Sequence, residues 1–182
     1  LYLTMQRGPM VIGFAVTGLV LSLLYTGWLK KYGLGELTAL IVWGPLMIGG
    51  TAFVAAPELT NAEFWQVILA SLPYALIVAS VLVGKHTDKI EADANVGVRS
   101  VPVLLGAKNS LNLNKILFIV FYLLVISLVL FSVVGWGVLL VVFAIPRLRE
   151  TWKVYSTPKP DEAPEGWPVW PLWYVGWAMY FN

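Results

Sequence analysis

Apolar residues in this chain run in stretches longer than a soluble core needs. From Pro9 to Leu29, Leu37 to Ala56, Phe64 to Gly84 and Ile116 to Val134 there is no Asp, Glu, Lys or Arg. About 20 apolar residues rising 1.5 Å each cross a hydrocarbon core roughly 30 Å thick. In so apolar a solvent only helices, or closed barrels, satisfy every backbone group. Length favours helices here, so the expected fold is all-α, a polytopic transmembrane helical bundle. Only 12% of the 182 residues are charged, against about 25% in soluble domains. Hydropathy therefore excludes a soluble enzyme. The net charge of +2 is too small for nucleic-acid binding, and without cysteine there is neither disulfide nor thiolate chemistry.

The pattern gives about six spans. The first ends at Trp28 and Lys30-Lys31, an aromatic belt followed by a basic anchor. Pro45, Gly49 and Gly50 lie inside the second, and Pro73 marks a kink in the third. The fifth, around Val138 to Ile145, is short or borrows residues on either side. Pro146 to Gly166 is proline-rich and polar, hence a surface loop, and a tryptophan-rich sixth span begins at Pro168. Lys and Arg follow spans one, three and five and are missing after two and four, with Arg7 the exception. Basic loops face the cytoplasm, which predicts a multi-pass protein of the cell membrane in contact with membrane lipid. The chain opens on Leu1 and stops inside an apolar run at Asn182. Residues 1–182 are therefore expected to be one transmembrane domain, incomplete at both ends, and no secretory signal peptide is recognisable.

Charge gathers from Lys85 to Arg99. Asp88, Glu91 and Asp93 stand beside Lys85, His86, Lys89 and Arg99. Nothing from Lys85 to Asp93 breaks a helix, so the third helix can continue to Asp93, with Gly97 as a C-cap. Carboxylates at a membrane surface can hold Mg2+, which takes oxygen ligands and bridges to substrate phosphates. The three basic residues can neutralise the same phosphates. The pattern equally fits a solvated helix end whose acids and lysines merely pair. His86 reads as a polar cap or as a proton-transfer group. Lys30 and Lys31 read as anchors that can also meet an anionic substrate, and Tyr25 as an interface residue or a pocket wall. Ionisable residues at helix ends argue against a transporter, whose sites lie near mid-membrane.

The segments Tyr25-Thr26-Gly27, Gly33-Leu34-Gly35-Glu36, Gly44-Pro45-Leu46 and Gly50-Thr51 resemble the middle of the intramembrane aromatic prenyltransferases, the UbiA superfamily. They look most like the branch that prenylates dihydroxynaphthoate on the way to menaquinone. Ile90-Glu91-Ala92-Asp93, then Gly97-Val98-Arg99-Ser100-Val101-Pro102 and Leu104-Leu105-Gly106, resemble the family's second acidic motif and the segment after it. The resemblance implies a nine-helix bundle in which two aspartate-rich motifs hold Mg2+ and a polyprenyl diphosphate. Loss of diphosphate then gives an allylic cation that an aromatic acceptor attacks. Carried onto this chain, it implies Asp88 and Asp93 as catalytic and Asp88, Glu91 and Asp93 as metal ligands. Lys30, Lys31, Lys85, Lys89 and Arg99 would bind diphosphate, and Tyr25 and His86 would line the pocket.

Two departures stand out. The first acidic motif does not occur in this chain. In the second, the partner position of Asp93 is Lys89, and Asp88 comes one place early. Five residues at 100° each turn Asp88 and Asp93 about 140° apart on a regular helix. Either Asp88 and Glu91 form the metal pair, or the helix unwinds, or Lys89 binds the diphosphate. The competing reading is a non-catalytic subunit of the same fold that binds quinone, pigment or lipid within a larger membrane assembly. A chlorophyll-synthase-type prenyltransferase is a second alternative.

Overall fold

The computed structural model describes residues 2–182, and among them the regular structure is entirely helical. A short α1 (Tyr2–Arg7) leads into α2 (Met10–Gly27), and a single 3-10 turn (Leu29–Tyr32) follows. Then α3 (Gly35–Ile41) and α4 (Met47–Ala55) run as one rod through a π-turn at Val42–Leu46. Pro45 lies in that turn, where the looser winding tolerates its missing N–H. Next come α5 (Asn61–Thr87), α6 (Ile90–Asn95) and α7 (Val101–Leu130). A 3-10 segment (Trp136–Ala144) passes directly into α8 (Ile145–Val154), and α9 (Tyr174–Phe181) closes the described chain.

The hub is α5. Thr60 and Glu63 form a capping box at its start, each side chain bonding the other's backbone N–H, so the helix begins at a defined residue. It packs against α3, the π-turn and α4 on one side and against α7 and α9 on the other. Asn114 of α7 donates to Ser80 O at 3.0 Å and to the Tyr155 phenol at 3.4 Å. Tyr155 in turn donates to Tyr174 O at 3.0 Å. Burial pushes the Tyr155 phenol up from its ordinary value, so it remains a neutral donor. Leu111, Phe118, Trp173, Tyr174 and Phe181 close around this chain of bonds as the core.

At the other end of the bundle Arg7 donates to Phe53 O and to Ala56 O (3.0 Å), and its guanidinium lies over the Phe53 ring. The last carbonyls of a helix lack internal partners and carry partial negative charge. Arg7 supplies both needs of α4, which explains a basic residue where the neighbouring loop has no Lys or Arg.

Three helical runs are long and apolar enough to cross a membrane: Gly35–Ala55, Asn61–Thr87 and Val101–Leu130. The apolar Met10–Tyr25 stretch is shorter. Many large apolar side chains on α2 and α7 are exposed, Leu23 and Leu130 among them, as a lipid-facing surface requires. The chain is a membrane protein. The segment expected as a short fifth span is a 3-10 run that borrows α8 on its C-terminal side, and the tryptophan-rich sixth is helical over Tyr174–Phe181. Pro146 sits in the first turn of α8, where its missing N–H costs nothing, so the expected loop from Pro146 is partly helical. The helix expected from Ile116 begins instead at Val101 and is interrupted only at Gly106, which puts Lys108 and Lys115 on α7 rather than in a loop.

The third helix does not continue to Asp93. It ends at Thr87, and Lys89 leaves helical geometry at φ −122° and ψ 21°. The cause lies far away in sequence. Asp88 Oδ2 accepts the Val175 N–H at 3.0 Å and Oδ1 accepts Lys159 Nζ at 3.3 Å. Asp88 therefore caps α9, and its side chain is wholly buried. Gly84, one turn earlier, makes this possible: a Cβ there would meet Tyr174 O at 3.1 Å and Val175 Cα at 3.2 Å. Gly97, at φ +71°, ends α6 as expected. Val98 N bonds Asp93 O at 2.9 Å and Gly97 N bonds Ala94 O at 3.0 Å, the paired bonds of a Schellman cap.

Glu58 lies just before α5 and Glu162 in the loop that Lys159 ties to the far end of α5, roughly 40 Å away for 27 residues. Single cysteines at Glu58 and Glu162 are expected to react with an impermeant thiol reagent from opposite sides of sealed vesicles. Reaction from one side would overturn the membrane arrangement. Asp88→Ala should lower unfolding stability by about 2 to 3 kcal/mol through lost charge-assisted bonds, read by thermal unfolding in detergent.

Candidate active site

One end of the bundle collects the residues singled out above. Arg99 N bonds Lys30 O at 3.1 Å, joining the turn after α2 to the turn after α6. Beneath this joint Glu36, 6% exposed, accepts the Val101 N–H at 3.1 Å through Oε1. The geometry has a local reason. Ser100 stands at the N-cap of α7, where its hydroxyl would ordinarily accept from the first turn. Its Oγ instead donates to Asp93 Oδ2 at 3.3 Å, and Glu36 takes over the cap from another helix. Glu36 Oε2 is buried without a partner.

Asp93 Oδ2 also meets His86 Nδ1 at 2.6 Å, and both side chains are largely buried. The break at Lys89 produces this contact, because it folds α6 back toward the last turn of α5. His86 is thus more than a helix cap: it fixes one oxygen of Asp93 and leaves Oδ1 open. Tyr25 lies within electrostatic reach of Glu36 and Asp93, and Lys30 Nζ sits 5.1 Å above its ring. Behind Tyr25 an open cavity of about 260 Å³ runs between α2, the α3 rod and α5, walled by Leu21, Ala39, Val42, Trp43 and Leu82. A second apolar cavity of about 380 Å³, lined by Pro73, Ile77, Phe121, Val125 and Phe181, lies away from the polar cluster.

The expected metal trio is not formed. Asp88 is turned away, with Oδ2 on the Val175 N–H of α9 and Oδ1 on Lys159 of the preceding loop. Among the described residues no three Asp, Glu or His side chains stand together as a metal group. Glu91 is exposed on α6, two residues from Asp93, hence on another face. Among the described residues the ion pairs within 4 Å are His86–Asp93 and Lys159–Asp88. Lys30, Lys31, Lys85, Lys89 and Arg99 therefore have no carboxylate at that distance, and Lys89 does not pair with Asp93. What the site offers is a largely buried carboxylate held by His86 and Ser100, basic side chains free to meet an anion, and an apolar cavity behind Tyr25. Glu36 and Ser100 were not singled out as site residues, since their partners lie on other elements. Their only sequence signal is membership of the segments Gly33–Glu36 and Gly97–Pro102.

Comparison with known proteins gives the family. The model of the UbiA prenyltransferase family matches residues 1–178. The 1,4-dihydroxy-2-naphthoate octaprenyltransferase of Haemophilus influenzae is 28% identical over 154 residues, 82% of this chain and 49% of that protein. The protein of the same name from Bacillus subtilis is 29% identical over 138 residues, 76% of this chain and 41% of its own length. The 2-carboxy-1,4-naphthoquinone phytyltransferase of Synechocystis is 28% identical over 114 residues, 63% of this chain and 36% of that protein. The chain thus spans half or less of the length of these relatives. No solved structure gives a significant match. A family match over residues 1–178, on a helical membrane bundle, makes this chain a member of the UbiA prenyltransferase family.

Proposed function

We propose that the protein transfers a polyprenyl group from its diphosphate to a dihydroxynaphthoate-like aromatic acceptor in quinone biosynthesis, at the mouth formed by Lys30, Arg99 and Asp93. The observation that carries the reading is the joint between the Lys30 and Arg99 turns, which gathers the cations beside Asp93 and in front of an apolar cavity. The named relatives act on naphthoate-type acceptors, and a prenyl chain needs an apolar channel next to an anion site.

In the proposed reaction the allylic C–O bond breaks and diphosphate leaves with the bonding pair. Lys30, Lys31, Lys85, Lys89 and Arg99 offset the charge on the departing anion. A nucleophilic ring carbon of the acceptor attacks the allylic cation, and loss of the proton at that carbon restores aromaticity. Asp93, held by His86 and Ser100, presents Oδ1 to the reacting end and stabilises positive charge there. Magnesium is implied by the family resemblance, but Asp88, Glu91 and Asp93 do not form a cage for it. The competing reading, a subunit without activity, has no observation of its own in this chain.

The full-length protein in lipid, supplied with polyprenyl diphosphate and 1,4-dihydroxy-2-naphthoate, is expected to form the prenylated naphthoate, detected by mass spectrometry. Absence of product would favour the non-catalytic subunit. Asp93→Ala should lower turnover at least about a hundredfold while far-UV circular dichroism shows the helical fold intact. Full activity in that variant would place the site elsewhere. Lys89→Asp separates two roles for the odd lysine. A phosphate contact predicts prenyl diphosphate binding weakened about tenfold and only partly rescued by added Mg2+. Unchanged or tighter binding would rule that contact out.

A further inference from the structure

A second basic recess opens at the same end of the bundle, on the outer side of α7. It is a cavity of about 440 Å³ between α7 and the turn after α8, and Lys108, Asn112, Lys115, Ser156 and Thr157 line it. Buried Leu111 forms its floor. Lys115 Nζ donates to Ser156 Oγ at 2.8 Å and lies 5.4 Å from the Trp152 ring centre. Among the described residues neither lysine has a carboxylate within 4 Å. The proposed reaction uses none of these groups.

The helix register shows what fits. Lys108 and Lys115 are seven residues apart, so they point within about 20° of each other, two turns apart. Ile119 and Ile126 are eleven and eighteen residues beyond Lys108 and fall within about 20° of the same line. They are 48% and 46% exposed. One stripe of α7 therefore presents two cations and two hydroxyl-bearing neighbours, then an indole, then bare aliphatic surface running toward the middle of the bundle. A basic anchor that only sets orientation needs charge alone. It needs neither a walled recess nor a continuous apolar track below it.

We propose that this recess binds the phosphate headgroup of an anionic phospholipid, with an acyl chain laid along Ile119 and Ile126. Lys108 and Lys115 supply the counter-charge and the donors to phosphate oxygens, Ser156 holds Lys115 in place, and Trp152 sits at the level of the lipid interface, where indoles are favoured. The site is separate from the mouth at Lys30 and Arg99 and does not depend on the transfer reaction.

The test uses the full-length protein in phosphatidylcholine nanodiscs doped with phosphatidylglycerol, with retained phosphatidylglycerol counted by native mass spectrometry. The wild type should retain phosphatidylglycerol selectively. Removing both lysines (Lys108→Ala with Lys115→Ala) should weaken retention roughly fivefold for each cation lost. The matched pair Arg149→Ala with Lys153→Ala removes the same charge from exposed positions on α8, and should weaken it less than twofold. Lys108→Arg with Lys115→Arg should keep it, which guards against a loss caused by misfolding. Equal losses from the two alanine pairs would mean diffuse charge attraction and overturn the proposal. Displacement of phosphatidylglycerol by millimolar inorganic pyrophosphate would overturn the lipid as the ligand and assign the recess to a soluble phosphate.

Discussion

The architecture rests on carboxylates that reach from one helix to the start of another. Asp88 leaves α5 and caps α9, and Glu36 of α3 caps α7. A helix start carries unpartnered N–H groups and partial positive charge, and in a bundle surrounded by lipid water is scarce for satisfying them. Each acid answers that need and at the same time fixes the angle between two elements. Both caps lie at the same end of the bundle, so directional bonds between elements fix the geometry of that end.

This division explains how the acidic stretch is used. Of its three carboxylates one is structural, one is exposed and one, Asp93, is held at the mouth by His86 and Ser100. The break at Lys89 separates them. Had the helix stayed regular, Asp93 would lie two turns beyond His86, about 10 Å along the axis, out of reach of its ring. Unwinding by one residue lets neighbouring acids serve different elements.

The long rods were legible in the sequence because lipid imposes a length and a polarity that few other environments require. Gly97 was legible too, since a helix that ends in the left-handed region favours glycine. The break after Thr87 was not, because its cause is the N–H of Val175, 87 positions along the chain. The helical character of Ile145–Val154 was hidden by Pro146, which reads as a breaker until its place in the first turn is known. Lys89 was legible as a residue out of pattern, and the geometry shows why: it sits at the bend. Glu36 and Ser100 escaped because a cap borrowed across the bundle leaves no local spacing to read.

The start of α7 has one further effect. Val101 gives its N–H to Glu36, and Pro102 has none to give. A helix start is an anion site only if its donors are available, and here the first two are not. An anion at the mouth must therefore be gripped by lysine and arginine side chains on flexible stems rather than by fixed backbone dipoles. Each such stem surrenders up to about 2 kcal/mol of rotamer freedom when it is immobilised. The grip is entropically costly to close and easy to open, so the mouth favours quick release of an anion over long retention.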